Sequence, residues 1–370
     1  MTTDGRSPKP SRDTDIARLC GAWFGDRPRV VRPGPLTGFS GTHLAIVELP
    51  DSREAFVVKA FRAGMRRDRA AWVHRFMRQA RANGVPGVPE LAMTGGGDTL
   101  VEDAMGGLWE AARFMAGTAV TAARSGQVRA GMELLARLHL AVERLPDTPP
   151  TSGLSAGVLR RIEQAERLRA DPWSRLLSRA VGAAAASPLE VAIRERLPRA
   201  IDLVTTIEAA RVLDRIAAFP RQPHALQPVV RDVWSDHVLF SAATADDVSG
   251  LVDFHAAAVD VPATDIARLL GSWLPPAGRG TLPVVDRWPE ALAAYERIRP
   301  LPPGSRELVT WLEATGVLCG LDNWFRWVLA ERRLFPAPDV VVRRVDQLLA
   351  GLPVAIGVLS KCGKGAGLTP

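Results

Sequence analysis

The stretch between residues 227 and 254 decides the reading. It runs Gln227-Pro228-Val229-Val230-Arg231-Asp232, then Val238-Leu239-Phe240, an Asp246-Asp247 turn, and Ser249-Gly250-Leu251-Val252-Asp253-Phe254. β-Branched and apolar residues mark these pieces as short strands, and carboxylates stand at their ends rather than inside them. A carboxylate at the mouth of a loop, Asp232, can accept or orient the proton of an attacking hydroxyl, and the polar His237 five residues on can help hold a metal. Asp253 follows the buried-looking Leu251-Val252, a placement suited to a hard-cation ligand, because Mg2+ takes one or two carboxylates together with phosphate oxygens. Singly, each of these acids also fits the cap of a turn.

Working toward the N-terminus, residues 30–61 alternate in β fashion: Val30-Val31, His43 to Leu49, a Pro50-Asp51-Ser52 turn, and Ala55 to Phe61, an antiparallel meander. The turn Gly38-Phe39-Ser40-Gly41-Thr42 carries small residues whose backbone N–H groups can approach phosphate oxygens. Lys59 lies on the strand two after that turn, where an ammonium reaches what the turn covers. Trp72, Val73, Phe76, Met77 and Ala80 then recur at helical spacing, with arginines on the other face, before two further strands at 99–102 and 108–115. Beyond Gly117 the pattern is helical, beginning with a helix at 127–145 behind Ser125 and continuing through an Ala/Arg/Leu-rich stretch that Pro198 interrupts. Trp311, Trp324, Phe325 and Trp327 form an aromatic stripe that reads as core.

The whole chain has 370 residues, 47% of them hydrophobic, with 47 Lys+Arg against 40 Asp+Glu and a net charge of +7. This length and composition predict two domains or lobes and exclude a disordered tail protein or a small disulfide scaffold. The three cysteines, Cys20, Cys319 and Cys362, are far apart and belong to no Cys/His cluster, so structural zinc is not expected. The cations are spread along the chain without a recognition motif, which argues against nucleic acid despite a sequence pI near 10.1. No apolar run approaches a bilayer-spanning length and residues 1–10 lack a signal peptide's apolar stretch, so neither membrane nor export is expected, and the cytoplasm is. Only four cations are lysines, Lys9, Lys59, Lys361 and Lys364, and Lys59 alone falls within the expected folded body. Where Arg serves elsewhere, that position calls for a compact ammonium.

The order of Gly turn, strand Lys, Asp loop and Asp-Phe resembles the protein-kinase-like fold, and in detail the aminoglycoside phosphotransferase/choline kinase superfamily of small-molecule kinases. The similar stretches are Phe56 to Lys59, Trp109 to Gly117, Leu135 to His139, Arg231-Asp232 to Phe240, and Gly250 to Phe254 with Asp265 to Leu270. The resemblance implies an α+β, two-lobed architecture: a tail at 1–12, an N-lobe at 13–117, a mainly helical C-lobe at 118–355, and a flexible tail at 356–370. It implies transfer of a γ-phosphate from ATP or GTP, with Mg2+ or Mn2+, to a hydroxyl of a small acceptor. Asp232 is then the catalytic base and Asp253, with His237, the metal set. Lys59 and the turn residues Gly38, Ser40, Gly41 and Thr42 hold the nucleotide phosphates, and Met115 forms the hinge beside the base. Asp265 braces the catalytic loop, and His139 is a packed, hydrogen-bonded residue.

Three positions depart from that pattern. Val230 replaces the His that often precedes the catalytic Asp, and His237 replaces the usual metal-binding Asn. No Asp or Glu lies between Asp68 and Glu90, so the helix glutamate that would partner Lys59 is missing, leaving nucleotide phosphate or an acid such as Glu102 to orient it. These departures set a second reading beside the enzyme, a nucleotide-binding pseudokinase with a regulatory or scaffold role. The acceptor itself is not legible, although residues near Asn323 and Trp327 are candidates to line its site.

Overall fold

The computed structural model describes residues 12–27, 29–34, 43–148, 151–181, 185 and 187–362. The Gly38–Thr42 turn, with Gly38, Ser40, Gly41 and Thr42, therefore lies outside the described residues.

The N-terminal part comprises α1 (Arg12–Phe24), β1 (Val30–Pro33), β2 (Leu44–Leu49), β3 (Glu54–Ala60), α2 (Arg67–Ala82), β4 (Leu100–Glu102) and β5 (Leu108–Arg113). Its strands form one antiparallel sheet in the order β1-β2-β3-β5-β4. Strand alternation decides what each face of this sheet does. Ala45, Val47, Leu49, Val58, Trp109 and Ala111 point to one side and bury against Ile16, Leu19, Cys20, Trp23 and Phe24 of α1. Lys59 and Glu110, directly opposite each other in the β3–β5 register, point to the other side. There α2 turns its buried stripe Val73, Phe76, Met77 and Ala80 toward the main core while Arg75, Arg78 and Arg81 stay exposed, as the helical spacing predicts. Burying a side chain such as Phe76 completely contributes about 1.5–3 kcal/mol.

The remainder runs β6 (Thr118–Ala119), α3 (Ser125–Val142), β7 (Thr151–Gly153), α4 (Ala156–Ala170), α5 (Ser174–Val181), α6 (Pro188–Val204), α7 (Ile207–Ala217), β8 (His224–Val229), β9 (Val238–Phe240), β10 (Val248–Leu251) and β11 (Ala258–Asp260). It closes with α8 (Ala263–Ser272), α9 (Val284–Arg287), α10 (Pro289–Glu296), α11 (Ser305–Phe325) and α12 (Pro338–Lys361). Two three-stranded sheets, β10-β9-β6 and β11-β8-β7, are the β insertion expected among helices. α11 is the central helix, packed against α4, α8 and α12, and Trp311, Trp324 and Phe325 are buried as a core stripe.

Several boundaries differ from expectation. α3 begins at Ser125 with Arg124 at the cap position, where the Gln127 side chain accepts from the Arg124 amide, and it ends at Val142. β5 stops at Arg113, so Met115 sits in the connection to β6. α6 runs unbroken through Pro198, its buried Ile193, Leu197 and Ala200 holding it to the core. The segment expected as a tail from 356 is helical to Lys361, because Ile356, Val358 and Leu359 continue the buried face of α12. Among the described residues no helix is long and apolar enough to cross a membrane.

Candidate active site

Asp232 sits in the loop between β8 and β9, and Asp265 shapes that loop. The Asp265 carboxylate, at the start of α8, accepts hydrogen bonds from the backbone N–H groups of Val230 at 2.7 Å and Arg231 at 2.6 Å. His139 Nε2 donates to the same carboxylate at 3.0 Å, and the other ring nitrogen meets the Tyr295 hydroxyl at 2.8 Å. Asp265 and His139 are fully buried, so this brace works in a medium where a lost partner is expensive. Arg231 is held at φ 66°, a left-handed conformation that a non-glycine residue adopts only when its surroundings over-determine it.

The Asp232 carboxylate is half exposed. Trp234 Nε1 donates to its Oδ1 at 2.7 Å, and Arg268 Nη1 lies 3.8 Å from the same oxygen. Both contacts fall on one oxygen and orient the group. The backbone carbonyl of Asp232 accepts from His237 Nδ1 at 2.8 Å, which places that proton on Nδ1 and leaves Nε2 with a free lone pair. That Nε2 lies 3.9 Å from Oδ1 of Asp236.

The β9–β10 hairpin brings the second carboxylate alongside. Val238 pairs with Leu251, and just beyond, the Val252 amide donates to the His237 carbonyl at 3.0 Å. Asp253 follows at φ 65°, and its Oδ1 receives the ammonium of Lys59 at 2.8 Å. Burial pushes the Asp253 carboxyl pKa upward, but neighbouring positive charge, that of Lys59 first, more than reverses this and holds it below the usual carboxylate value. A continuous path therefore runs from Lys59 through Asp253 and Val252 to His237 and Asp232. Met115 abuts Gly250 on the same hairpin, so closely that a Cβ there would lie 2.9 Å from its own.

The acid expected to orient Lys59 is neither a residue of α2 nor Glu102, which is exposed on β4. It is Asp253 itself. The buried acid of this region is Glu110, opposite Lys59 on β5, and it binds two imidazoles: His74 Nε2 of α2 at 2.8 Å and His255 Nε2 at 2.8 Å. Burial opposes ionisation of Glu110, yet the charge and hydrogen bond of His255, with those of His74, outweigh it and depress its pKa well below the ordinary value. His255 stacks on Phe61 at 4.1 Å, and Phe254 packs against Phe76 of α2. His74 thus occupies the helix position where the missing glutamate was sought, but it ties α2 to the Asp253 loop rather than to Lys59. Glu110, His255, Trp234 and Arg268 were not singled out from sequence. The one available signal was a charge, Glu110, in the middle of the β-type run 108–115.

No group of three or more metal-ligating side chains exists among the described residues. Asp253 and His237 nevertheless supply donor types that suit a cation drawing its other ligands from phosphate and water, and the backbone bond from Val252 to the His237 carbonyl brings their chain segments together. Of the residues considered for the acceptor, Asn323 accepts from Gln164 at 3.0 Å and from Arg160 at 3.4 Å, whereas Trp327 packs on Trp324 away from the cleft beside Asp232.

A family model described as the phosphotransferase enzyme family matches residues 38–301. Among solved structures, the chain is similar to a spectinomycin phosphotransferase in complex with ADP and spectinomycin, at 9% identity and a TM-score of 0.65, covering 95% of this chain and 100% of that one. It is similar also to an amicoumacin kinase in complex with AMP-PNP and Ca2+, at 10% identity and a TM-score of 0.58, covering 93% and 95% of the two chains. An aminoglycoside phosphotransferase from Alicyclobacillus acidocaldarius aligns at 10% identity and a TM-score of 0.53, covering 97% and 98%. At these identities the likeness is one of fold. No protein of curated function matches the chain.

Proposed function

The chain belongs to the phosphotransferase enzyme family, and from that premise we propose that it transfers the γ-phosphoryl group of ATP or GTP to a hydroxyl of a small molecule, with Asp232 as the base. Phosphoryl transfer asks little covalent chemistry of a protein and much placement. Trp234 and Arg268 fix one Asp232 oxygen, so the other orients the acceptor hydroxyl and takes its proton late in the transfer. Lys59 reaches the donor phosphates from β3, and Met115 borders the base from the connection after β5. We assign the Gly38–Thr42 turn to the same phosphates from its sequence alone.

Asp253 and His237 would hold Mg2+ or Mn2+, and the cation would supply positive charge to offset that of the phosphates. In the ligand-free arrangement Lys59 neutralises Asp253 at 2.8 Å.

The observation that carries this reading is the linkage of Lys59, Asp253, His237 and Asp232 through successive contacts of 2.8, 3.0 and 2.8 Å across three separate chain segments. A coupled assay for nucleoside diphosphate release over a panel of hydroxylated acceptors tests it, beside calorimetry of nucleotide binding with and without Mg2+. Turnover lost in Asp232→Ala with nucleotide binding retained supports the assignment, and full activity in both Asp232→Ala and Asp253→Ala ends it. One observation favours a pseudokinase instead: His74 of α2 engages Glu110, and no carboxylate of α2 approaches Lys59. Tight nucleotide binding without turnover across the panel would select that reading.

A further inference from the structure

Beside Asp232 opens a cleft between α4, α8, α11 and α12, and its lining is strongly cationic. Arg160 and Arg161 come from α4, Arg231 from the catalytic loop, Arg268 from α8 and Arg344 from α12, five guanidinium groups around Trp234. Only two carboxylates, Asp260 and Glu313, share this lining, and both are already engaged. Asp260 is fully buried, accepts from Ser155 Oγ at 2.5 Å and the Gly157 amide at 2.9 Å, and lies 3.5 Å from Arg231. Glu313 pairs with Arg287 at 3.0 Å. Among the described residues, Arg160, Arg161 and Arg344 have no carboxylate within 4.0 Å, and Nε of Arg161 is buried without a hydrogen-bond partner.

This arrangement opposes stability. Burial and the neighbouring Arg268 pull the Arg344 pKa down to about 10, and burial with nearby arginines lowers those of Arg160 and Arg161. Like charges converging in a half-buried space persist where a ligand of opposite charge repays them. Arg268 and Arg344 both lie over the Trp234 ring, at 4.7 and 4.8 Å, and the same indole donates to Asp232. The cationic cleft and the transfer site thus share Trp234 and Arg268, which places whatever the arginines hold next to the group that would receive its hydroxyl proton.

We propose that the acceptor is an anionic hydroxylated molecule whose carboxylate or phosphate is seated by Arg160, Arg161 and Arg344 while its hydroxyl faces Asp232. The proposal rests on the phosphotransferase reading and adds the class of acceptor. Guanidinium forks match both oxyanions in geometry and charge. A polycationic aminoglycoside meets repulsion in the same cleft.

The test uses the full chain saturated with AMP-PNP and Mg2+ at constant ionic strength, titrated by calorimetry and thermal shift. Glycerol 3-phosphate serves as the phosphate probe, tartrate as the carboxylate probe, glycerol as the neutral control, and spermidine and spectinomycin as cations. At least one anion should bind saturably, and Arg160→Ala and Arg344→Met should each weaken it by about tenfold, the loss of one charge-assisted contact. AMP-PNP affinity should stay within about twofold, a change of only a few tenths of a kcal/mol. A structural arginine would lower the melting temperature when replaced. Arg344→Met should instead leave that of the ligand-free protein unchanged or raised, because a repelled buried charge is removed. Arg160, at the rim, gives a variant whose folding is not in question. The proposal is overturned if neither anion binds saturably, if Arg160→Ala and Arg344→Met both bind them as well as the original, or if spermidine or spectinomycin binds more tightly. Absence of AMP-PNP binding would overturn the phosphotransferase reading instead, and the anion titration is then read by the same criteria without nucleotide.

Discussion

Asp265 Oδ1 accepts the Arg231 amide at 2.6 Å, and that contact keeps Arg231 in a left-handed conformation immediately before Asp232. The aim of the Asp232 carboxylate therefore depends on a buried residue 33 positions later in the chain that touches no substrate. Replacing Asp265 by Asn leaves a buried amide that cannot accept from Val230, Arg231 and His139 together. Asp265→Asn is expected to lower stability by about 2–4 kcal/mol in urea unfolding. Turnover should fall while the nucleotide dissociation constant is kept, and equal loss in both would place Asp265 outside the loop's support.

Asp232→Asn removes the proton acceptor without changing shape. Turnover should drop by about 10²–10⁴-fold, the range for general-base catalysis, with nucleotide affinity unaltered in calorimetry. Trp234→Phe removes the hydrogen bond to Oδ1, worth about 1 kcal/mol, and keeps an aromatic face for Arg268 and Arg344, so its expected loss is about five- to tenfold.

Asp253→Ala should abolish the Mg2+ dependence of nucleotide binding, because the carboxylate best placed to meet both metal and phosphate is gone. The same variant leaves Lys59 without its 2.8 Å partner, freeing it for phosphate. Residual metal-independent nucleotide binding is therefore expected, and titrations in EDTA and in Mg2+ should coincide.

Glu110→Gln should cost about 2–4 kcal/mol at neutral pH, since a buried imidazole, His74, and a partly buried one, His255, lose their carboxylate. The folded-state pKa of Glu110 lies below its unfolded value, so its contribution is complete above the unfolded value of 4.5 and is lost as pH falls through the folded pKa. Urea melts at pH 7 and at progressively lower pH should show the gap between the parent and Glu110→Gln closing with acid. A gap that stays constant would remove the carboxylate's charge as its cause.

The two-lobed order of elements was legible because it depends on local periodicity. Period-2 alternation in β2 and β3, helical spacing in α2, and the carboxylates ending the β8 and β10 runs are each written within a few residues. His74 shows where that legibility stops. Nothing in its neighbouring sequence marks it, since its importance comes from Glu110 on a strand and His255 in a loop far along the chain. Glu313 and Asp322 of α11 are buried and engaged with Arg287 and Trp173, which nothing in the surrounding sequence announces. A helix whose every side is covered gives no periodic signal of which polar residues face inward.

By itself, then, the chain determined that a strand lysine, a loop aspartate and a strand-end aspartate would appear in an order suited to phosphoryl transfer, because covalent spacing and side-chain alternation are properties of neighbours. Only the tertiary structure decided which charges meet. Arginines 160, 161, 231, 268 and 344 looked like scattered solubilising cations along the chain and converge on one cleft in space. Electrostatic energy depends on distance and burial rather than on position in the sequence, so the sign of that cleft was settled by the packing of four helices.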